Sequence, residues 1–184
     1  MYIGIDLGGT NIRVAAIEDG KILQIQAEPT NAKGAENVVL EQMARLIEAV
    51  ITPEVKGIGI GVPSVVDREK GIVYNVVGIP SWKEVHLKDF LEARFHLPVS
   101  INNDANCFAL GVAHYGSLRK SKEIFCVTLG TGVGGALVLE GKLYNGHNTG
   151  AGEIGSIPYL TRTTNTIAPA ASSWAKEPRA RMPP

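Results

Sequence analysis

The chain has 184 residues, 45% hydrophobic and 20% charged, and its 18 basic and 18 acidic side chains cancel. That is enough for one sizeable core, and the zero net charge leaves no electrostatic footprint for nucleic acid or an anionic membrane. No apolar run approaches the ~20 residues of a membrane helix, the N-terminus lacks the basic and apolar regions of a signal peptide, and Cys107 and Cys126 lack metal-ligand spacing, so a cytoplasmic protein with free thiols is expected.

The first stretch, Tyr2 to Leu7, is apolar and β-prone apart from Asp6. Gly8-Gly9 permits a tight turn, and Ile12 to Ile17 starts a return strand. A strand-end carboxylate beside backbone N–H groups freed by a glycine turn is a place to hold phosphate and its metal. The N–H groups face the phosphate oxygens, and Asp6 works through Mg²⁺, because a bare carboxylate repels phosphate. The competing reading is an ordinary hairpin with a solvated Asp. Lys21 to Glu28 continues the meander, Asn31 to Gly34 is a polar loop, and Ala35 to Ile51 is predicted to be helical. In it Val38, Val39, Gln42, Met43, Leu46, Ile47 and Val50 recur at helical spacing, and Pro53 follows its end. Val55 to Val62 reads as a buried strand parallel to the first, and Gly61 to Asp67 turns the chain back. Gly71 to Val77 is predicted as a short strand, Trp82 as core filling, Leu87 to Phe95 as a short helix, and Leu97 to Ile101 as another buried strand.

Asn102-Asn103-Asp104-Ala105-Asn106 is the most informative polar cluster. It lies between that strand and a predicted helix, Ala105 to Tyr115, and strand ends of open α/β sheets are where ligands bind. Helix capping accounts for one of these side chains, but not for four in succession between two apolar elements. A second glycine-rich turn, Gly130-Thr131-Gly132, follows the apolar run Ile124 to Leu129 and precedes Ala136 to Leu139. Two strand-Gly-strand elements suggest two turns serving one polyphosphate. Lys142 to Tyr144 and the segment Gly146 to Ser156 come next.

The two glycine turns and the Asn103-Asp104-Ala105-Asn106 run together resemble the sugar-kinase branch of the actin-like ATPases, and more narrowly the ROK family (repressors, open reading frames and kinases). The resemblance runs from Met1 to about Leu160. It implies an α/β, actin-like ATPase (ribonuclease H-like) fold, a mixed sheet flanked by helices. It also implies ATP-dependent phosphorylation of a hexose or N-acetylhexosamine, with ATP and Mg²⁺ as cofactors and a small-molecule sugar as partner. By resemblance Asp104 is the catalytic base. Asn75, Asn103 and Glu153 hold sugar hydroxyls, Asn75 with Trp82 fitting the family's Asn…Trp spacing. Asp6, Gly8, Gly9, Thr10, Asn11, Gly130, Thr131 and Gly132 hold the nucleotide, with Asp6 carrying Mg²⁺.

Three departures are visible. Ser64 replaces the second glycine of the family's G-x-P-G segment. Val112 stands where Glu is common. Ala151 to Gly155 matches the family's A-G-E-I-G-H, but Ser156 replaces the His, and no cysteine-rich stretch follows. No zinc site is therefore expected; His147 is read as a surface loop residue. From Thr161 onward there is no Gly, Leu, Val or Phe. Residues 161–184 are read as a disordered or non-native tail, with a reading-frame shift, a natural low-complexity tail and a linker as the alternatives and the second lobe of the family missing. The expected consequences are impaired kinase activity in this chain, and possible homodimerisation only in a full-length form. The alternatives are a non-catalytic sugar-binding module and a sugar-responsive transcriptional regulator. The second lacks room for a helix-turn-helix ahead of Tyr2 and lacks a basic patch.

Overall fold

The computed structural model describes residues 1–76, 78–130, 132–147, 149–160 and 167–169. The chain divides into two compact units, Met1–Cys107 and Phe108–Pro184.

The first unit opens with an antiparallel meander, β1 (Tyr2–Leu7), β2 (Asn11–Glu18) and β3 (Lys21–Pro29). Helix α1 (Glu36–Glu48) then returns the chain to β4 (Ile58–Val62), which runs parallel to β1. Three short strands, β5 (Val65–Asp67), β6 (Ile72–Tyr74) and β7 (Glu84–Val85), form a separate antiparallel sheet. Helix α2 (Leu87–Phe95) leads to β8 (Val99–Asn103), parallel to β4, and α3 (Asp104–Tyr115) begins at once. The main sheet has five strands in the order β3-β2-β1-β4-β8.

Side chains alternate between the faces of a strand, so registered neighbours share a face. Ile3, Ile5, Leu7, Ile12, Val14, Ile58, Ile60, Val62, Val99 and Ile101 are buried in one core with Val39, Met43, Leu46 and Ile47 of α1 and Leu87 and Leu91 of α2. Gly4, Asp6, Gly59 and Gly61 fall on the other face. The register Asp6↔Gly61 and Gly61↔Asn102 puts Asp6, Gly61 and Asn102 in one row across β1, β4 and β8.

Several boundaries differ from the sequence reading for local reasons. Helix α1 ends at Glu48. Residues 52–55 form a turn, in which Val55 N–H donates to Thr52 O (3.1 Å), so β4 starts at Ile58 and not Val55. His96 closes α2 in the left-handed conformation (φ 55°), and this cap and Pro98 delay β8 to Val99. Asn75 has φ 48°, which ends β6 at Tyr74. The buried face of α1 includes Leu40, whereas Val38 is exposed.

In the second unit β9 (Ile124–Leu129), β10 (Val133–Leu139) and β11 (Lys142–Tyr144) form an antiparallel sheet in the order β11-β10-β9. Ala109, Ile124, Cys126, Ala136 and Val138 make its core. β10 starts three residues before the expected Ala136, because Val133, Gly134 and Gly135 pair with Leu129, Thr128 and Val127. After a 3-10 turn at Ile154–Ser156, β12 (Pro158–Leu160) pairs with β13 (Ile167–Pro169). β13 falls within the stretch read as a tail; residues 161–166 and 170–184 lie outside the described residues.

Candidate functional site

The β1–β2 turn is closed by Gly8 N–H donating to Asn11 O (2.9 Å). Thr30, just past β3, ties down its far side: its hydroxyl donates to Gly8 O (2.7 Å) and its N–H to Thr10 O (3.0 Å). β3 runs parallel to β1, so its C-terminal end meets the turn at the same sheet edge. An open groove of about 690 Å³ follows, lined by Gly9, Thr10, Thr30, Lys33 and Gly34 among others. Gln42 holds this loop in place. Buried on α1, it accepts from Asn31 N–H (2.9 Å) and donates to Pro29 O (2.9 Å). Its position in the apolar stripe of α1 is thereby explained.

Asp6 stands behind the turn. Its side chain is 57% exposed and accepts from Arg13 Nη1 at 2.8 Å. Arg13 is its register partner on β2. The sequence reading passed over Arg13; the signal available was its spacing, since a two-stranded turn of this length places it opposite Asp6.

Asp104 heads α3 at the same edge. Two strand spacings separate β1 from β8, about 10 Å. Asn103 does the capping, its Oδ1 accepting from Ala105 N–H (2.9 Å) and Asn106 N–H (3.3 Å). Asn102 Oδ1 accepts from the side chain of buried Asn106 (3.2 Å). Three of the four polar side chains thus build the helix start. Asp104 Oδ1 accepts from Ala105 N–H at 2.8 Å, and the carboxyl also meets the backbone N–H of Asp104 itself. Protein packed around one side of the Asp104 carboxyl pushes its pKa up, opposed by the Ala105 N–H and helped by the negative charge of Asp6. Cys107, one turn along α3 and facing the Ile60 carbonyl, is pushed up to about 11 by burial and by the same two carboxylates. It is a protonated thiol, not a nucleophile.

Ser64 connects this point to Asn75. Its carbonyl accepts from Asn103 Nδ2 (3.4 Å), and its hydroxyl donates to Tyr74 O. The replacement of glycine by serine therefore adds a link between the Asn103 strand end and the residue before Asn75. Trp82 is fully buried and its Nε1–H donates to Glu36 O (3.1 Å), as core filling requires.

In the second unit Gly130 N–H donates to Gly132 O (2.9 Å), closing the β9–β10 turn. Thr131 lies outside the described residues. A Cβ at Gly130 or Gly132 would meet nothing within 4 Å, so the turn's backbone is open to an approaching group. Gly152 (φ 88°) packs on Gly135 and Ala136, and Gly155 on Val133, so the Glu153 corner lies along β10. Glu153 is exposed there. His147 is exposed, as read from the sequence.

Within the first unit the fold gathers Asp6, Gly8, Gly9, Thr10, Asn11, Asn75, Asn103 and Asp104 at one sheet edge; Gly130, Gly132 and Glu153 belong to the second. A β-β-β-α-β opening with a carboxylate and glycine turn at the end of β1, and a second carboxylate heading the helix after β8, defines an actin-like ATPase lobe. The chain belongs to the ROK family, which matches it over residues 2–168. It is 37% identical over 166 residues to a glucokinase of Halalkalibacterium halodurans, covering 86% of this chain and 50% of that protein. It is 37% identical over 160 residues to an N-acetyl-D-glucosamine kinase of Aliivibrio salmonicida, covering 84% and 52%. A ROK family glucokinase from Streptomyces griseus, solved with glucose and AMPPNP, superposes with TM-score 0.77 at 32% identity, over 85% of this chain and 50% of that one. The chain spans about half the length of the curated relatives it matches. The match to residue 168 continues eight residues past Leu160, where the resemblance in the sequence stops.

Proposed function

We propose that this chain carries the acceptor-activating and phosphate-holding half of an ATP-dependent sugar kinase site, acting on glucose or an N-acetylhexosamine. The observation that carries the reading is Asp104, an exposed carboxylate at the head of α3, on the sheet edge that also presents Asp6 and the Gly8-Gly9-Thr10 turn.

The residues fit Mg²⁺ and ATP. Among the described residues no three His, Cys, Asp or Glu side chains cluster as a metal cage. Mg²⁺ commonly takes one or two carboxylates and completes its shell with water and phosphate oxygens, and the exposed Asp6 suits that arrangement. ATP with Mg²⁺ supplies the phosphoryl group and neutralises its charge. Asp104 would take the proton of the sugar hydroxyl as its oxygen bonds to the γ-phosphorus of ATP and the bond to the ADP oxygen breaks. Asn103 and Asn75 hold neighbouring hydroxyls, so a sugar lacking them leaves polar groups unpaired and is rejected. Asp6 would hold the metal once its pair with Arg13 opened, and the freed guanidinium would suit phosphate oxygens. The Gly9 and Thr10 N–H groups supply donors to phosphate, the Gly8 N–H being taken by Asn11 O. Positioning and charge neutralisation supply most of the catalysis in phosphoryl transfer.

The test is Asp104→Asn in a version extended to the relatives' length. Turnover is expected to fall by at least about a hundredfold, the usual scale of a general base; near-normal turnover would sink the assignment. A second reading is sugar binding without turnover. Calorimetric titration with glucose and N-acetylglucosamine, with and without ATP, distinguishes the two. Heat from sugar alone and no ADP release supports the module.

A further inference from the structure

Gly78 has φ 86°, and a Cβ built on it would stand 2.9 Å from the Cα of Gly9, the middle of the phosphate turn. The contact is backbone against backbone, with no flexible side chain to yield. The segment that delivers Gly78 is rigidly mounted. Val76 N–H donates to Trp82 O (3.1 Å), Ile79 N–H to Val76 O (3.1 Å) and Trp82 N–H to Ile79 O (3.0 Å). Val76, Ile79 and Trp82 are buried in the main core, and the indole is pinned to α1. At the start of this segment, Asn75 is held in the left-handed region by its N–H donating to Lys83 O (2.9 Å). Ser64 grips the Tyr74 carbonyl next to it.

We infer that Gly78 is a positioning residue: through its contact with Gly9 the core-anchored segment from Asn75 to Trp82 braces the phosphate turn and couples it to the sugar-facing residue Asn75. The coupling part rests on the function proposed above; the bracing does not. Thr30 ties the turn from the β3 side, and Gly78 supplies the stop on the other. A group that moves Asn75 therefore moves, through Gly78, the amides that face phosphate. Backbones packed this closely transmit sub-ångström shifts because there is no void to absorb them. Any side chain at position 78 would both leave its preferred φ and displace Gly9.

The test uses the 184-residue chain, wild type against Gly78→Ala, Gly9→Ala and the double variant. It follows amide exchange at Gly8 and Thr30, whose N–H groups close and tie the turn. In Gly78→Ala we expect these two amides to exchange at least about tenfold faster while Ile5, Val14 and Ile60 keep their rates. The affinity for Mg²⁺–tripolyphosphate should fall about tenfold, whereas Gly141→Ala, which has the same positive-φ strain and no such contact, should leave it unchanged. The effects of the two single variants should be non-additive. Unchanged Gly8 and Thr30 exchange in a folded Gly78→Ala chain overturns the inference, as does strict additivity. Should Gly78→Ala not fold, Gly9→Ala reads the contact from the other side: faster exchange at Asn75 and Val76 supports it, and unchanged rates reject it. If Mg²⁺–tripolyphosphate fails to shift the Gly8 to Thr10 amides of the wild type, the kinase reading falls, and the exchange result still decides the bracing.

Discussion

Asp104 sits where its charge is disfavoured. An acid whose folded-state pKa is raised holds its proton longer when folded, so the folded chain loses stability as pH rises from the ordinary value of 3.8 toward the raised one. Asp104→Asn removes that loss and keeps the acceptor for Ala105 N–H. It is expected to raise Tm slightly at neutral pH, with the gain vanishing below about pH 4, where the wild-type acid is protonated in both states. The effect is small because the side chain keeps solvent access; thermal melts at pH 3.5 and 7 measure it, and a gain equal at both would contradict it. Arg13→Met separates stability from ligand binding in the same way. Its exposed pair with Asp6 contributes at most about 1 kcal/mol to folding, whereas the affinity for Mg²⁺–tripolyphosphate is expected to fall by about tenfold, measured by titration. Asp104 was legible in the sequence because four polar residues interrupt two apolar elements. Arg13 was not: a lone arginine in a strand pattern is unremarkable until register sets it opposite a carboxylate.

At the scale of elements, α1 holds both the core and the phosphate edge. Gln42→Ala leaves Asn31 N–H and Pro29 C=O without their partner. It is expected to cost about 1–3 kcal/mol in urea unfolding and to accelerate Thr30 exchange by releasing the loop. Trp82→Ala, which empties a fully buried site and unpins the segment carrying Gly78, is expected to cost about 3–5 kcal/mol. The meander, α1, α2 and β9 were readable from hydrophobic period. β5 and β7 were not, since strands of three and two residues carry no period. Nor was the start of β10, where a glycine pair reads as turn but lies in a paired strand.

For the whole molecule, burial of one sheet face under α1 and α2 explains how the first unit forms a core from local elements. Among the described residues no helix is long and apolar enough to cross a membrane. The chain spans about half the length of its kinase relatives. The sequence by itself determined the family and the mixed α/β class, and it singled out Asp6, Asp104 and the two glycine turns as candidates. These lie in short contiguous stretches whose residue types and spacing state their chemistry. Only the tertiary structure decided that Asp6 pairs with Arg13, that Ser64 links Asn103 to the Asn75 segment, and that Gly78 rests on Gly9. Those contacts join residues 7, 39 and 69 positions apart, or reach across a sheet, and their existence depends on register and packing, which no local pattern encodes.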